Sequence, residues 1–263
     1  MDTGRCGLWC LVHLQRSLLY SGTLYSLYDY RLFWLFEMEK NDCNPDGWLT
    51  ANFEPEAVVV GGGDTPNHPL MRKWLEHHPR LVCCDGTANQ WQDSWQEPWQ
   101  IVGDGDSIAP AVHEKYKDII TIYPEQETND QTKAIHFIHE KAPDIRRIAI
   151  IGSTGKREDH TLGNISLLLE YQKLGLEVRM YTNHGVFIPC CDTTTLHCPK
   201  DTAVSIFNFT ATHLSSEKLA YPIYDFTNWW QGTLNQTLAD DFTIHAQGCY
   251  LVYLAYSNQK ERE

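Results

Sequence analysis

The stretch from Ala57 to Gly86 decides the fold. It opens with AVVVGGGD (57–64), a β-branched run that ends in three glycines. HPLMRKWLEHH (68–78) then sets Leu70, Trp74 and His77/His78 at helical spacing, and RLVCCDG (80–86) is a second apolar run ending in Asp-Gly. Short apolar runs closed by turn residues suit strands buried on both faces. Strand, helix and strand within about thirty residues make a parallel βαβ unit, because parallel strands need a long crossover. The glycine triplet lacks G-x-G-x-x-G spacing, so it is only a weak hint of a phosphate loop.

The alternation continues downstream. QIVGDGDS (100–107) reads as a strand, APAVHEKYK (109–117) as a short helix with Pro110 near its start, and DIITIYP (118–124) as a strand. NDQTKAIHFIHEKA (129–142) is a helix, RRIAIIG (146–152) a strand, HTLGNISLLLEYQKLG (160–175) a helix closing at Gly175, and LEVRMYT (176–182) a strand. Strands and helices at this spacing imply an α/β fold with a doubly wound, mostly parallel, Rossmann-like sheet. After Asn183 the style changes. GVFIPC, TTTLHCP, AVSIFNFT, FTIHAQG and CYLVYLAY are short strand-like runs between turns, so an all-β sandwich or jelly-roll domain is expected to follow. The expected division is 56–182 for the α/β domain and 183–260 for the β domain, with 38–55 as a lead-in.

Composition narrows the function. In 263 residues, 42% hydrophobic and 12% aromatic content is enough for a sizeable folded core. A formal charge of -13 argues against nucleic acid as a partner, since such binding rests on many Lys and Arg contacts to phosphate. A small phosphorylated ligand remains open, because a divalent cation bridges acidic side chains to phosphate oxygens. The nine cysteines include no Cys-x-x-Cys and are odd in number, which reads as reduced, mostly buried thiols in a cytoplasmic protein. Cys190, Cys191, His197 and Cys198 fit strand packing better than any standard zinc spacing.

Residues 1–37 differ in character from the rest of the chain. They are apolar and aromatic, yet Arg16, Asp29 and Arg31 interrupt them before the roughly 18 to 20 apolar residues of a membrane span are reached. No membrane association is expected, nor is there a clear signal-peptide layout. Met38 opens a hydrophilic stretch, and the expectation is that it is the initiator and that 1–37 is a non-native or disordered extension.

Four strand ends in the α/β half deliver polar residues. After LVCC come Asp85, Gly86 and Asn89. After IVG come Asp104 and Asp106, separated by Gly105. After ITIYP comes EQETNDQTK, and after AIIG comes STGKREDH. Taken alone, GDGDS (103–107) is either a solvated turn or a place where two carboxylates converge, which like charges tolerate only with a cation between them. In open parallel sheets the ligand crevice lies beyond the carboxyl ends of the strands, so the four loops should meet. Convergence favours a metal site. Asn129 or Asp130 caps the following helix, and Asp130 could also join Asp104 and Asp106 at a magnesium ion, which prefers oxygen ligands. Lys156 and Arg157, among glycines ahead of a helix, suit an anion. The GSTGK segment is not a P-loop, since only two residues separate its glycines and Arg follows Lys. Asp159 is either a helix cap or a site residue.

Together the four blocks resemble those of the thiamine pyrophosphokinase family, which carries DGxxN, GDxDS, DQxxTDxTK-like and GxxGRxDH elements in that order. Here they read CDGTAN, GDGDS, EQETNDQTK and GSTGKREDH, and the similarity runs over about 200 residues from Ala57 onward. The resemblance implies an α/β catalytic domain, a β-sandwich domain that binds thiamine and dimerises, and a homodimer with active sites between subunits. It implies magnesium-dependent pyrophosphoryl transfer from ATP to the hydroxyethyl oxygen of thiamine, giving thiamine diphosphate and AMP. Asp104, Asp106 and Asp130 match the metal-binding acids, and Asp85 the site acid of the first element. Asn89, Gln126, Asn129 and Lys133 would line nucleotide and phosphates, with Arg157 and Asp159 completing that wall. LAYPIYDFTNWWQGTLNQ (219–236) is similar to the thiamine-contact segment, with Tyr221 stacking on the cationic heterocycle and Thr233 and Asn235 beside it. Trp229 and Trp230 either share that contact or pack the sandwich. Leu234 stands where a serine is usual, and Asn129 and Gln90 replace the usual Thr and Arg. For the thiamine hydroxyl proton, Asp85 and Asp106 are both candidates. The rival readings are a metal-dependent phosphohydrolase and a non-catalytic thiamine- or nucleotide-binding protein.

Overall fold

The computed structural model describes residues 47–49 and 53–256. The expectations about Met38 and residues 1–37 therefore lie outside the described residues, as do Cys6, Cys10 and Cys43.

Ala57 to Gly86 folds as its pattern predicts. β1 (Ala57–Val60) and β2 (Leu81–Cys84) are buried on both faces and pair in parallel, and α1 (Pro69–His77) crosses between them. Pro69 opens α1, where a missing N–H costs nothing, and His68 caps it by accepting from Leu70 N. The remaining α/β elements follow in order: β3 (Gln100–Gly103), α2 (Pro110–Tyr116), β4 (Ile120–Ile122), α3 (Asp130–Lys141), β5 (Arg147–Ile151), α4 (Glu158–Ser166), α5 (Leu168–Lys173) and β6 (Glu177–Tyr181). The six strands lie side by side as β6-β5-β1-β2-β3-β4, every pair parallel. The chain builds outward from β1 to β4, then returns to place β5 on the other side of β1. The sheet order thus reverses between β1 and β5.

Helices cover both faces. Met71, Trp74 and Leu75 of α1 pack on Val58, Val60 and Leu81, whereas α3 and α5 pack on the opposite side against Val59, Val82 and Val178. The alternation of Val58 and Val60 against Ala57 and Val59 is the two-residue period of a strand dividing one sheet between two cores.

The single helix expected over 160–175 is two. α4 ends at Ser166, whose hydroxyl donates to the Gly163 carbonyl, and α5 begins after Leu167. A serine hydroxyl bonding back into its own helix competes with the ladder, and Gly163 resists that break weakly.

Beyond β6 the pairing changes sense. β7 (Gly185–Cys191) runs antiparallel to β6 and carries the same sheet onward through β13 (Cys249–Ala255), β9 (Ala203–Asn208) and the two-residue β11 (Asn235–Gln236), making ten strands in all. β8 (Thr194–His197), β12 (Asp241–Gln247) and β10 (Thr212–Glu217) form a separate antiparallel sheet. Phe242 and Ile244 from this sheet share one core with Ile206, Tyr250 and Val252 of the large sheet, so the C-terminal part is a sandwich. THLSSE, too polar to signal a strand, becomes β10 by pairing with β12.

The expectation of reduced cysteines holds only in part. Cys83, Cys84, Cys190 and Cys198 are free and buried as expected, but Cys191 and Cys249 form a disulfide. They are direct partners in the β7–β13 register, with Cα atoms 4.1 Å apart. A sequence separation of 58 conceals that register from any reading of the chain alone.

Candidate active site

In an open parallel sheet the crevice falls where the strand order reverses, outside the carboxyl ends. Here that point lies between β1 and β5, and their following loops, Gly61–Asp64 and Gly152–Lys156, run against each other. Gly61 N bonds Ile151 O at 2.9 Å, Gly63 N bonds Gly152 O at 2.6 Å, and Asp64 N bonds Thr154 O at 2.8 Å. A Cβ on Gly63 would overlap the Thr154 carbonyl oxygen. The glycine triplet therefore serves close approach between two loops. Together with the ends of β2, β3 and α3 these loops wall a cavity of about 570 Å³.

The acidic side of the cavity is organised by Asp85. This residue is 1% exposed, and its carboxylate accepts from the backbone N–H groups of Gly105 and Ser107, each at 3.1 Å. Two backbone N–H groups donating to one carboxylate fold GDGDS over the end of β2, with Gly105 at φ +83 supplying the left-handed turn. Asn89 secures the far end by donating to Ser107 O and accepting from Ala109 N. The result brings one carboxylate oxygen each from Asp85, Asp104 and Asp106 within 4.8 Å of one another.

The cluster gathered this closely is thus Asp85, Asp104 and Asp106, with Asp130 set beside it at the start of α3. Lys133, 2% exposed, holds the two parts together, its Nζ lying 4.0 Å from Asp104 and 3.7 Å from Asp130. Burial, with like charge from Asp85, pushes Asp130 up to about 6. Burial also raises Asp85, against the two amides that favour its ionised form, and Asp104 and Asp106 add like charge. Asp104 moves the other way, because Gln126 donates to it at 2.8 Å. Lys133 balances only part of this charge, and the Asp85, Asp104 and Asp106 oxygens gathered this closely could hold a metal ion, for which carboxylates are hard donors.

Asn129 does what a helix cap does, accepting from Thr132 N at 3.0 Å, which contributes about 1 kcal/mol to such a helix. Its amide also donates to Asn164 Oδ1, and Asn164 in turn donates to Ser153 O. Gln131 donates to Asn164 O and Tyr171 OH. Through Asn164 the start of α3 is tied to the loop after β5. No sequence signal singled out Asn164, which sits mid-helix in α4, nor Thr87 or Ser153 on the cavity wall, whereas His160, also on that wall, closes the GSTGKREDH block.

Of the residues expected from sequence, Asp104, Gln126, Asn129, Asp130, Lys133 and Arg157 line the cavity. Asp85 and Asn89 shape its loops. Arg157 and Asp159 form an exposed pair at 2.6 Å, which raises the guanidinium and lowers the carboxyl. Tyr221, Thr233 and Asn235 belong to a second locus, and none of them lines the cavity. There Asn235 is buried and clasps the Tyr221 backbone, accepting from its N–H and donating to its carbonyl, while Tyr221 is 63% exposed. Thr233 donates to Trp230 O, and Trp229 donates to Asn208 O while its ring lies against Phe207 and Phe209.

Comparison with known proteins gives this geometry a family. A family model described as thiamin pyrophosphokinase, catalytic domain, matches residues 71–180, and one described as thiamin pyrophosphokinase, substrate-binding domain, matches residues 185–253. Thiamine pyrophosphokinase of Bacillus subtilis (strain 168) is 32% identical over 137 residues, which is 50% of this chain and 63% of that protein. Thiamine pyrophosphokinase 1 of Oryza sativa subsp. japonica is 32% identical over 142 residues, 45% of this chain and 53% of the relative. The chain thus spans between about half and 63% of the length of these curated relatives. Among solved structures, thiamine pyrophosphokinase from Bacillus subtilis aligns with a TM-score of 0.63 at 21% identity, covering 77% of this chain and 99% of that one. Yeast thiamin pyrophosphokinase aligns at 0.62 with 16% identity, over 78% and 87%. At these identities the structures speak for the fold alone, but both parts of the family are matched in order along the sequence. The chain belongs to the thiamin pyrophosphokinase family.

Proposed function

We propose that the protein transfers a pyrophosphoryl group from ATP to the hydroxyethyl oxygen of thiamine, giving thiamine diphosphate and AMP. The observation that carries this reading is the acidic cluster that meets the nucleotide-sized cavity at Asp104, in a chain matched by both the catalytic and the substrate-binding models of the family. The relatives' names favour the transferase over a phosphohydrolase or a simple binding protein.

The donor set suits magnesium. Asp104 and Asp106 would hold it, with Asp85 or Asp130 completing the acidic shell. When bound, the ion would neutralise phosphate charge and favour an in-line arrangement of the triphosphate. The chain's own residues do the rest. Lys133, fixed between Asp104 and Asp130, would set a positive charge against the transferred oxygens, and Arg157 would leave Asp159 to cover the outer phosphates. Both Asp85 oxygens are already taken by backbone amides. Asp106, exposed and accepting from the Ser107 hydroxyl on Oδ1, is the more accessible of the two to the thiamine hydroxyl proton.

Thiamine would bind at the second locus, where the exposed ring of Tyr221 suits a cationic heterocycle. Tyr224, Trp229, Trp230 and Leu234 are exposed on the same segment, and a concentration of large apolar side chains favours burial by a partner. A homodimer that sets this segment against the acidic cavity of a second copy explains why the chain's own cavity lacks Tyr221, Thr233 and Asn235. A catalytic domain over 56–182 and a thiamine-binding, dimerising domain over 183–260 belong to the same reading, as does a cytoplasmic setting. Among the described residues no helix is long and apolar enough to cross a membrane.

The test is to incubate purified protein with ATP, magnesium and thiamine and follow products by chromatography. AMP and thiamine diphosphate appearing in equal amounts, and both abolished by chelation, are the expected result. Phosphate release that ignores thiamine would sink the proposal.

A further inference from the structure

Three Lys or Arg side chains line the cavity: Lys133, Lys156 and Arg157. Lys133 faces Asp104 and Asp130, and Arg157 is paired with Asp159. Lys156 differs from both. Its Nζ donates to the carbonyl oxygen of Gly62 at 2.7 Å, and among the described residues no carboxylate lies within ion-pair distance of it. A carbonyl satisfies a donor but leaves the positive charge unneutralised.

The backbone at Lys156 gives an independent reason to look at its side chain. It sits at φ +56, in a left-handed conformation that glycine takes at lower cost. An unfavourable backbone held by a loop at the crevice is where a side chain is worth keeping for its chemistry. Two hydroxyls in the same wall, Thr87 Oγ1 and Ser153 Oγ, are buried without a hydrogen-bond partner, one beside Gly62 and the other beside Gly61. The wall around the Lys156–Gly62 contact thus offers a cation without an ion pair, although the Asp64 carboxylate packs against the neighbouring Gly155, and two buried hydroxyls without a hydrogen-bond partner.

We infer that Lys156 is a nucleotide phosphate-binding residue, parked on the Gly62 carbonyl until a phosphate takes its ammonium. This rests on the nucleotide reading of the cavity. In the free protein the bond straps the Gly61–Gly63 loop to the loop after β5. In the complex the ammonium exchanges a neutral acceptor for an anionic one, a stronger hydrogen bond. No covalent step is involved, and the residue acts by binding alone.

The experiment is calorimetric titration of MgATP into wild type, Lys156→Met and Lys156→Arg at low and high salt, with a thermal midpoint for each free protein. Lys156→Met keeps the stem and the backbone conformation and removes the charge. It is expected to weaken MgATP binding about tenfold, with Lys156→Arg close to wild type. The wild-type affinity should also fall more steeply with salt than that of Lys156→Met. Affinity within twofold of wild type in Lys156→Met would overturn the inference. So would a loss that salt does not modulate and that tracks a lowered midpoint, since that marks a loop strap only. Wild type failing to bind MgATP at all would overturn the nucleotide reading first, and the two failures are told apart by that control.

Discussion

At the residue scale the chemistry turns on carboxylates held closer together than their charges favour. Asp104→Asn or Asp130→Asn is expected to lower turnover by about two orders of magnitude or more, the size of effect seen when a charge-stabilising group is lost, while circular dichroism stays that of a folded protein. Turnover near wild type in either variant would contradict the roles given to these acids. The raised Asp130 also makes a pH prediction. Because the folded protein holds this proton up to about pH 6, and the unfolded chain releases it near pH 4, acidification between those values favours the fold. Above pH 6 the ionised carboxylate weighs on the metal-free protein. In chelator, Asp130→Asn should therefore gain more in thermal midpoint over wild type at pH 7.5 than at pH 5. Magnesium should reverse the order by stabilising wild type at pH 7.5 and losing its grip below pH 6. The GDGDS acids were legible because four polar strand ends were expected to converge beyond the sheet; alone, the motif reads as well as a solvated turn. The part played by Asp85 was not, because its bonds to Gly105 and Ser107 bridge about twenty residues of sequence.

At the scale of elements, the site is a junction of loops, and its tightest joint is between Gly61–Asp64 and Gly152–Lys156. Gly63→Ala would force a methyl group into the Thr154 carbonyl, and should cost about 1–3 kcal/mol by chemical denaturation, as overpacking against fixed atoms does. An unchanged midpoint would show that the loops are not packed this closely in solution. The β7–β13 ladder makes a second prediction. If the protein works in the reducing cytoplasm, Cys191 and Cys249 should be alkylated in protein trapped directly from cells and should become resistant after air oxidation. Strands β1, β2, β3 and β5 could be read from their apolar runs because both of their faces are buried. β10 and the β7–β13 cysteine pairing could not, since each depends on a partner that only the fold supplies; the break at Leu167 was missed although its cause, Ser166 bonding back to Gly163, is local.

For the whole molecule, the proposed activity requires two copies. The acidic cavity and the Tyr221 segment are separate loci in one chain, and exposed Trp230, at 73%, marks the surface expected to be covered. Trp230→Asp should shift sedimentation from dimer to monomer and remove activity with the fold intact. A dimer that persists would place the interface elsewhere. The alternation of strands and helices, followed by short strand-like runs, foretold a mostly parallel α/β part and a β-rich C-terminal part. It did not foretell that one ten-stranded sheet runs through both, because edge pairing between β6 and β7 leaves no mark on composition. What the molecule does with its two loci comes down to where the terminal phosphates of ATP go. The most direct measurement is to supply ATP labelled on the γ-phosphate, with magnesium and thiamine, and locate the label. Pyrophosphoryl transfer predicts label in thiamine diphosphate, with unlabelled AMP formed one for one. Label recovered as inorganic phosphate or pyrophosphate, at a rate indifferent to thiamine, would contradict it.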